Sequence, residues 1–163
     1  SEGFTLMNIY LFLKGLKPDD KGRSIYDIWN FSDTEIERNH DFIQRLFPLN
    51  EQSSLSLNKF YIEDPAIIEQ IRIDPTIAKN FITSKNFYLA FLSSNEGWQY
   101  RYNHNQLRIT RIIKSLLLLV SREEAESFHQ QVISLINPNS SIPAKAHDYW
   151  NHALDNEPAS RAS

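Results

Sequence analysis

The stretch from His104 to Val120 carries the residues best suited to chemistry. Wound at about 100° per residue, it places His104, Arg108, Arg111 and Ser115 on one narrow stripe, with Ile109, Ile112, Ile113, Leu116 and Val120 on the other side. Two guanidinium forks beside an imidazole suit a phosphate or a carboxylate. Burying an unpaired guanidinium is costly, so these arginines must either face a ligand or meet acids of neighbouring helices. A second pair, His40 and Gln44, stands one turn apart at the edge of an apolar face made by Ile36, Ile43, Leu46 and Phe47. Such a histidine can carry a proton, orient a ligand or be a satisfied residue at a core margin. Trp29 and Tyr26, just upstream, could add an aromatic wall.

Two further constellations say less. Trp98, Tyr100 and Tyr102 alternate with Gln99, Arg101 and Asn103. This reads as an extended segment leading into the 104–120 helix, able to stack an aromatic group or to pack as a loop over the core. Asp148 and His152 are one turn apart, a spacing that by itself fits a solvated face. The chain contains no Gly-Lys-Ser or Gly-Lys-Thr phosphate loop, no Gly-x-Gly-x-x-Gly, no Gly-x-Ser-x-Gly and no His-Glu-x-x-His. The common nucleotide, hydrolase and zincin chemistries therefore lose support, and neither a cofactor nor a metal site is expected.

Helices must position these groups. Only four glycines occur, too few for the turns of an all-β domain, and strict apolar alternation is nearly absent. Helix start signals recur instead. Ser32 with Glu35 and Ser121 with Glu124 have capping-box spacing, and Asp64-Pro65 and Asp74-Pro75 set an acid before a first-turn proline. The apolar spacing after each signal predicts helices near 7–15, 33–46, 65–73, 75–92, 104–120, 122–136 and 143–154, with a short turn near 24–29. The expectation is an all-α fold: one compact domain of roughly seven helices around the central 104–120 helix. Residues 16–23 read as a charged turn, and 48–63 as a Ser- and Asn-rich passage anchored by Leu55, Leu57, Phe60 and Tyr61. Met7, the single methionine, suggests a natural start, leaving 1–6 as an appendage, 7–155 as the domain and 156–163 as a flexible tail.

Composition bounds the rest. The 163 residues, 41% of them hydrophobic, suffice for one core without a disulfide or metal staple, and cysteine is absent. Seventeen Lys and Arg against twenty Asp and Glu leave a net charge of -3, so no chain-wide attraction to nucleic acid or acidic lipid is expected and any anion site must be local. The longest apolar run, Leu116 to Val120, is far short of a membrane span, and no signal-peptide pattern opens the chain. A soluble intracellular protein is the expectation.

Three stretches resemble the conserved domain of the opioid growth factor receptor family: His40 to Leu49 (HDFIQRLFPL), His104 to Leu116 (HNQLRITRIIKSL) and Asp148-Tyr149-Trp150. His40, Gln44, His104, Asn105, Arg108, Arg111 and Lys114 fall on positions of that pattern, whereas Arg45 stands where it usually has tryptophan. The resemblance implies a short, stand-alone helical domain that recognises an enkephalin-type peptide and associates with nuclear or perinuclear membranes. It brings no catalytic mechanism.

The leading expectation is a binding module. A cleft between the helix of His40 and Gln44 and the helix of His104, Arg108 and Arg111 would receive a peptide or a small anionic ligand, with Asn105, Lys114, Trp29 and Tyr26 beside it. Two alternatives stay open: an enzyme acting on a phosphorylated or nucleotide-like substrate with His40 or His104 as general acid/base, and a protein-interaction domain whose basic stripe meets only internal acids.

Overall fold

Side chains that accept the first free backbone N–H groups decide where most of the helices begin. The computed structural model describes residues 6–52 and 60–155; the expected anchors Leu55 and Leu57, residues 1–5 and the tail beyond Asp155 lie outside them. After α1 (Leu6–Leu13), full capping boxes at Ser24/Asp27 and Ser32/Glu35 open α2 (Ile25–Trp29) and α3 (Asp33–Arg38). A short α4 (Phe42–Leu46) follows. Asp64 caps α5 (Pro65–Ile73), and Asp74 accepts from the backbone N–H groups of Thr76 and Ile77 at the head of α6 (Pro75–Ser94). Asn103 caps α7 (His104–Leu119), Ser121 caps α8 (Arg122–Leu135), and α9 (Ala144–Asp155) closes the described chain. The described residues hold nine α-helices and no strand, as the all-α reading expects.

Two expectations need correction. The helix predicted over 33–46 is broken at 39–41, because Asn39 turns extended (φ -85°, ψ 136°) and its side-chain amide donates to the Glu35 carbonyl, ending α3. His40 therefore lies in the break while Gln44 lies in α4, and the two do not share a helix face. The segment 94–103 is not extended throughout either: Glu96–Gln99 form a 3₁₀ turn, Trp98 is buried with its Nε1 donating to the Leu92 carbonyl, and Tyr100 and Tyr102 point to solvent.

The chain divides into two compact units, 1–84 and 85–163, the boundary falling within α6. In the first, α1 packs on α4 and α5, and Phe12, Ile25, Ile28, Phe42 and Phe47 are inaccessible. Asn80 Nδ2 donates to the Leu13 carbonyl at the end of α1 (2.8 Å). Tyr10 donates to Asp74 Oδ2 (2.6 Å), and the Lys14 ammonium stands 3.1 Å from the same carboxylate. In the second unit α7 is central, with α8 and α9 both packed on it. Ile109, Ile112, Ile113, Leu116, Phe128, Val132 and Trp150 are fully buried there. No helix among the described residues is long and apolar enough to cross a membrane.

Two tests follow from this packing. Ile112→Ala or Leu116→Ala should each cost about 2–5 kcal/mol in denaturant melts, since each leaves a cavity in the second unit; unchanged midpoints would show α7 facing the other way. The Tyr10 hydroxyl, followed by Lys14 and the N–H groups of Ile77 and Thr76, outweighs burial and lowers the Asp74 pKa to about 2, against an ordinary value of about 3.9. The unfolded chain takes up this proton first, so the contribution is whole above pH 4 or so and is lost as pH falls through about 2. Circular dichroism across that window should find a shallower acid dependence in Asp74→Asn and in Tyr10→Phe than in the parent chain.

Candidate functional site

Within the second unit, the first turns of α7 and α9 stand beside each other and enclose an open groove of about 400 Å³. Helix α7 contributes His104, Gln106, Leu107 and Thr110; α9 contributes Lys145, Ala146 and Tyr149; the preceding loop contributes Tyr102 and Asn103. Leu107 is 56% exposed, Tyr102 80% and Tyr149 46%, so large apolar surface faces water where the groove opens. The Lys145 ammonium lies 5.7 Å from the centre of the Tyr149 ring, a cation–π arrangement on one face of α9.

Buried polar bonds fix this rim. Gln106 Nε2 donates to the carbonyls of Trp98 (2.9 Å) and Arg101 (2.6 Å), and the Gln106 carbonyl accepts from Trp150 Nε1 (3.0 Å). Arg101 adopts a left-handed backbone (φ 56°) and donates its N–H to the Ser141 carbonyl (3.3 Å), opposite a single bridge between Tyr100 and Ser141. The next residue, Tyr102, is thereby carried outward at the groove mouth.

The expected basic stripe separates into different environments. His104 is exposed and lines the groove. Asn105 and Arg108 are buried, and Asn105 Oδ1 accepts from both Arg108 Nη1 (3.1 Å) and the Tyr88 hydroxyl. Arg111 and Lys114 are half-buried, and Ser115 is inaccessible. Of the stripe, only His104 is among the residues lining the groove.

The remaining candidates belong to the first unit. Tyr26 and Trp29 meet edge to face at 5.4 Å, Tyr26 exposed and Trp29 donating its Nε1 to Ser84 Oγ (2.8 Å). Tyr26 covers Gly15, whose φ of 84° favours glycine and where an added Cβ would sit 2.6 Å from the Tyr26 hydroxyl oxygen. His40 is exposed and Gln44 half-buried. Beside them the charged turn at 16–23 proves to be an ionic knot. Arg45, with no exposure, pairs with Asp20 at 2.6 Å and stacks over Phe60 at 4.6 Å. Arg23 bridges Asp19 and Asp41, and Lys21 also pairs with Asp41. Burial pushes the Asp41 carboxyl up, yet Lys21 and Arg23 outweigh it and hold it below the usual range.

Sequence reasoning gave no role to Lys145, Leu107, Gln106 or Tyr149. Tyr149 lies in the third block of the family resemblance, and Lys145 stands four residues before it on one helix face. Among the described residues no group of His, Asp and Glu is arranged to hold a metal ion.

No family model matches the chain, and no solved structure does. Relatives are found among curated proteins. Opioid growth factor receptor-like protein 1 of Xenopus tropicalis is 34% identical over 133 residues, covering 68% of this chain and 25% of that protein. The proteins of the same name from Mus musculus and Rattus norvegicus are each 33% identical over 107 residues, covering 54% of this chain and 22% of theirs. The chain thus spans about a quarter of the length of the curated relatives it matches.

The ionic knot yields a test of opposite outcomes. Asp20→Ala strands the Arg45 guanidinium and should cost about 3 kcal/mol, the low end for a broken buried pair because the Asp20 side chain keeps 22% exposure. Replacing both members, Asp20→Asn with Arg45→Met, removes the buried charge pair at similar volume and should be close to neutral. Denaturant melts of the two variants check the pair.

Proposed function

We propose, for a chain that belongs to the opioid growth factor receptor-like family, that it is a recognition module whose second unit binds a peptide in the groove between α7 and α9. The observation that carries this reading is the groove itself: about 400 Å³, open to solvent, with Tyr102, Leu107 and Tyr149 exposed around it. That volume lies in the range of ligand sites, and contiguous exposed apolar surface marks places of contact. The relatives' name, with the word receptor, accords with ligand recognition.

The basic stripe enters through its outer end. His104 lines the groove, whereas Arg108 is buried against Asn105 beneath the surface. The arginine holds the scaffold, and the ligand meets the aliphatic and aromatic rim. Backbone positions under that rim are set by Gln106, so little reorganisation accompanies binding.

Selection of displayed random peptides on the folded chain tests the proposal. Sequences should enrich on the parent and not on Leu107→Asp, whose unfolding free energy should stay within about 0.5 kcal/mol of the parent's because Leu107 is exposed. Equal enrichment on both proteins, or none on either, would remove the groove from consideration.

A further inference from the structure

The charge of the groove says more about its ligand than its size does. The whole chain carries a net charge of -3, yet none of the groove's lining residues is acidic, while Lys145 on α9 is among them. We infer that the groove recognises a segment of a protein partner in which one large apolar side chain is flanked by carboxylates. The inference rests on the groove being the peptide site.

Three observations lead there. The apolar side chain is demanded by Leu107, Tyr102 and Tyr149, which offer exposed hydrocarbon and ring faces and no matching polar surface. The polar groups beneath are already engaged: Gln106 Nε2 serves two backbone carbonyls, and Asn103 Oδ1 accepts from the Asn105 N–H. A neutral polar ligand would find few partners there. The Lys145 ammonium, in contrast, is on an exposed residue and is held near the Tyr149 ring, so it meets an anion entering beside that ring without first leaving a buried pair. A carboxylate next to the inserted side chain satisfies it, and a cationic neighbour would be repelled.

Fluorescence anisotropy with the full chain at low salt decides the matter, using labelled nonapeptides of Gly and Ser with blocked termini and a central Asp-Phe-Asp, Asn-Phe-Asn, Lys-Phe-Lys or Asp-Ala-Asp. Blocking the ends removes terminal charges, so only the flanking side chains differ. Asp-Phe-Asp should bind roughly two- to fivefold tighter than Asn-Phe-Asn, as expected of a partly exposed ion pair. Asp-Ala-Asp should bind more weakly than either, and Lys145→Glu should reverse the order of the acidic and basic peptides while leaving the thermal midpoint in place. Equal affinities for Asp-Phe-Asp and Asn-Phe-Asn, or a Lys145→Glu variant that weakens every peptide alike, would overturn the inference and leave the groove a peptide site of other preference. Failure of all four peptides to bind would overturn it together with the reading of the groove beneath it.

Discussion

One carboxamide carries the architecture of the second unit. Gln106 is 5% exposed, and its side-chain nitrogen is divided between the carbonyls of Trp98 and Arg101, while its backbone carbonyl receives the indole N–H of Trp150. A residue of α7 thus fixes both the loop before that helix and the helix packed beside it. The Trp98 carbonyl is buried there and needs a donor, which this amide supplies. The left-handed backbone at Arg101 (φ 56°) is tolerable for the same reason. A non-glycine residue there costs on the order of 1 kcal/mol and persists where the surroundings over-determine it. The Gln106 and Ser141 bonds on either side do so.

Charge is used in two ways along the chain, and burial separates them. Arg45 and Arg23 tie the 16–23 turn to the region around α4, so the turn is held from its own acids outward. Arg108 shares the Asn105 oxygen with Tyr88 in the interior of the second unit. These cations have their partners within the fold. Lys145, on an exposed residue at the start of α9, faces a surface with no acid among its lining residues. A near-balanced composition conceals this division, because it averages cations that hold the protein together with cations presented to solvent.

What the sequence disclosed follows from how local each signal is. A cap acts within three residues, so Ser32, Asp64, Asp74 and Ser121 announced helices that begin where expected. The apolar side of α7 was likewise visible as periodicity, and Ile109, Ile112, Ile113 and Leu116 are buried. The break after Arg38 was not, because it depends on Asn39 folding back on Glu35 and on Asp41 being drawn toward Lys21 and Arg23 some twenty residues earlier in sequence. Asp20 and Arg45 are separated by 25 positions, so nothing in the turn at 16–23 identified its partner. Gln106 was equally hidden. On a helical wheel it is one more polar residue, and only the positions of Trp98, Arg101 and Trp150 turn it into a strut. The groove, assembled from α7, α9 and a loop, inherits that dependence on contacts remote in sequence.

The exposure of the groove's apolar residues is not needed for the helices to pack. Helix α7 buries Ile109, Ile112, Ile113 and the leucines of its second half, and α9 buries Ala146, Trp150 and Ala153. Leu107 and Tyr149 lie outside those sets, where a polar residue would satisfy the fold equally well. Tyr102 contributes even less burial, yet the backbone before it is held in a sparsely populated conformation by three hydrogen bonds, two at the Arg101 N–H and one at its carbonyl. The support beneath this solvent-facing hydrocarbon serves the fold through Trp98 and Trp150. In the proposed recognition role it also lowers the ordering cost of binding, because the rim is already in place when contact is made. The bonds of Gln106 thus join the loop at Trp98 and Arg101 to Trp150 of α9, and in the proposed recognition role the same bonds hold the groove's rim in place.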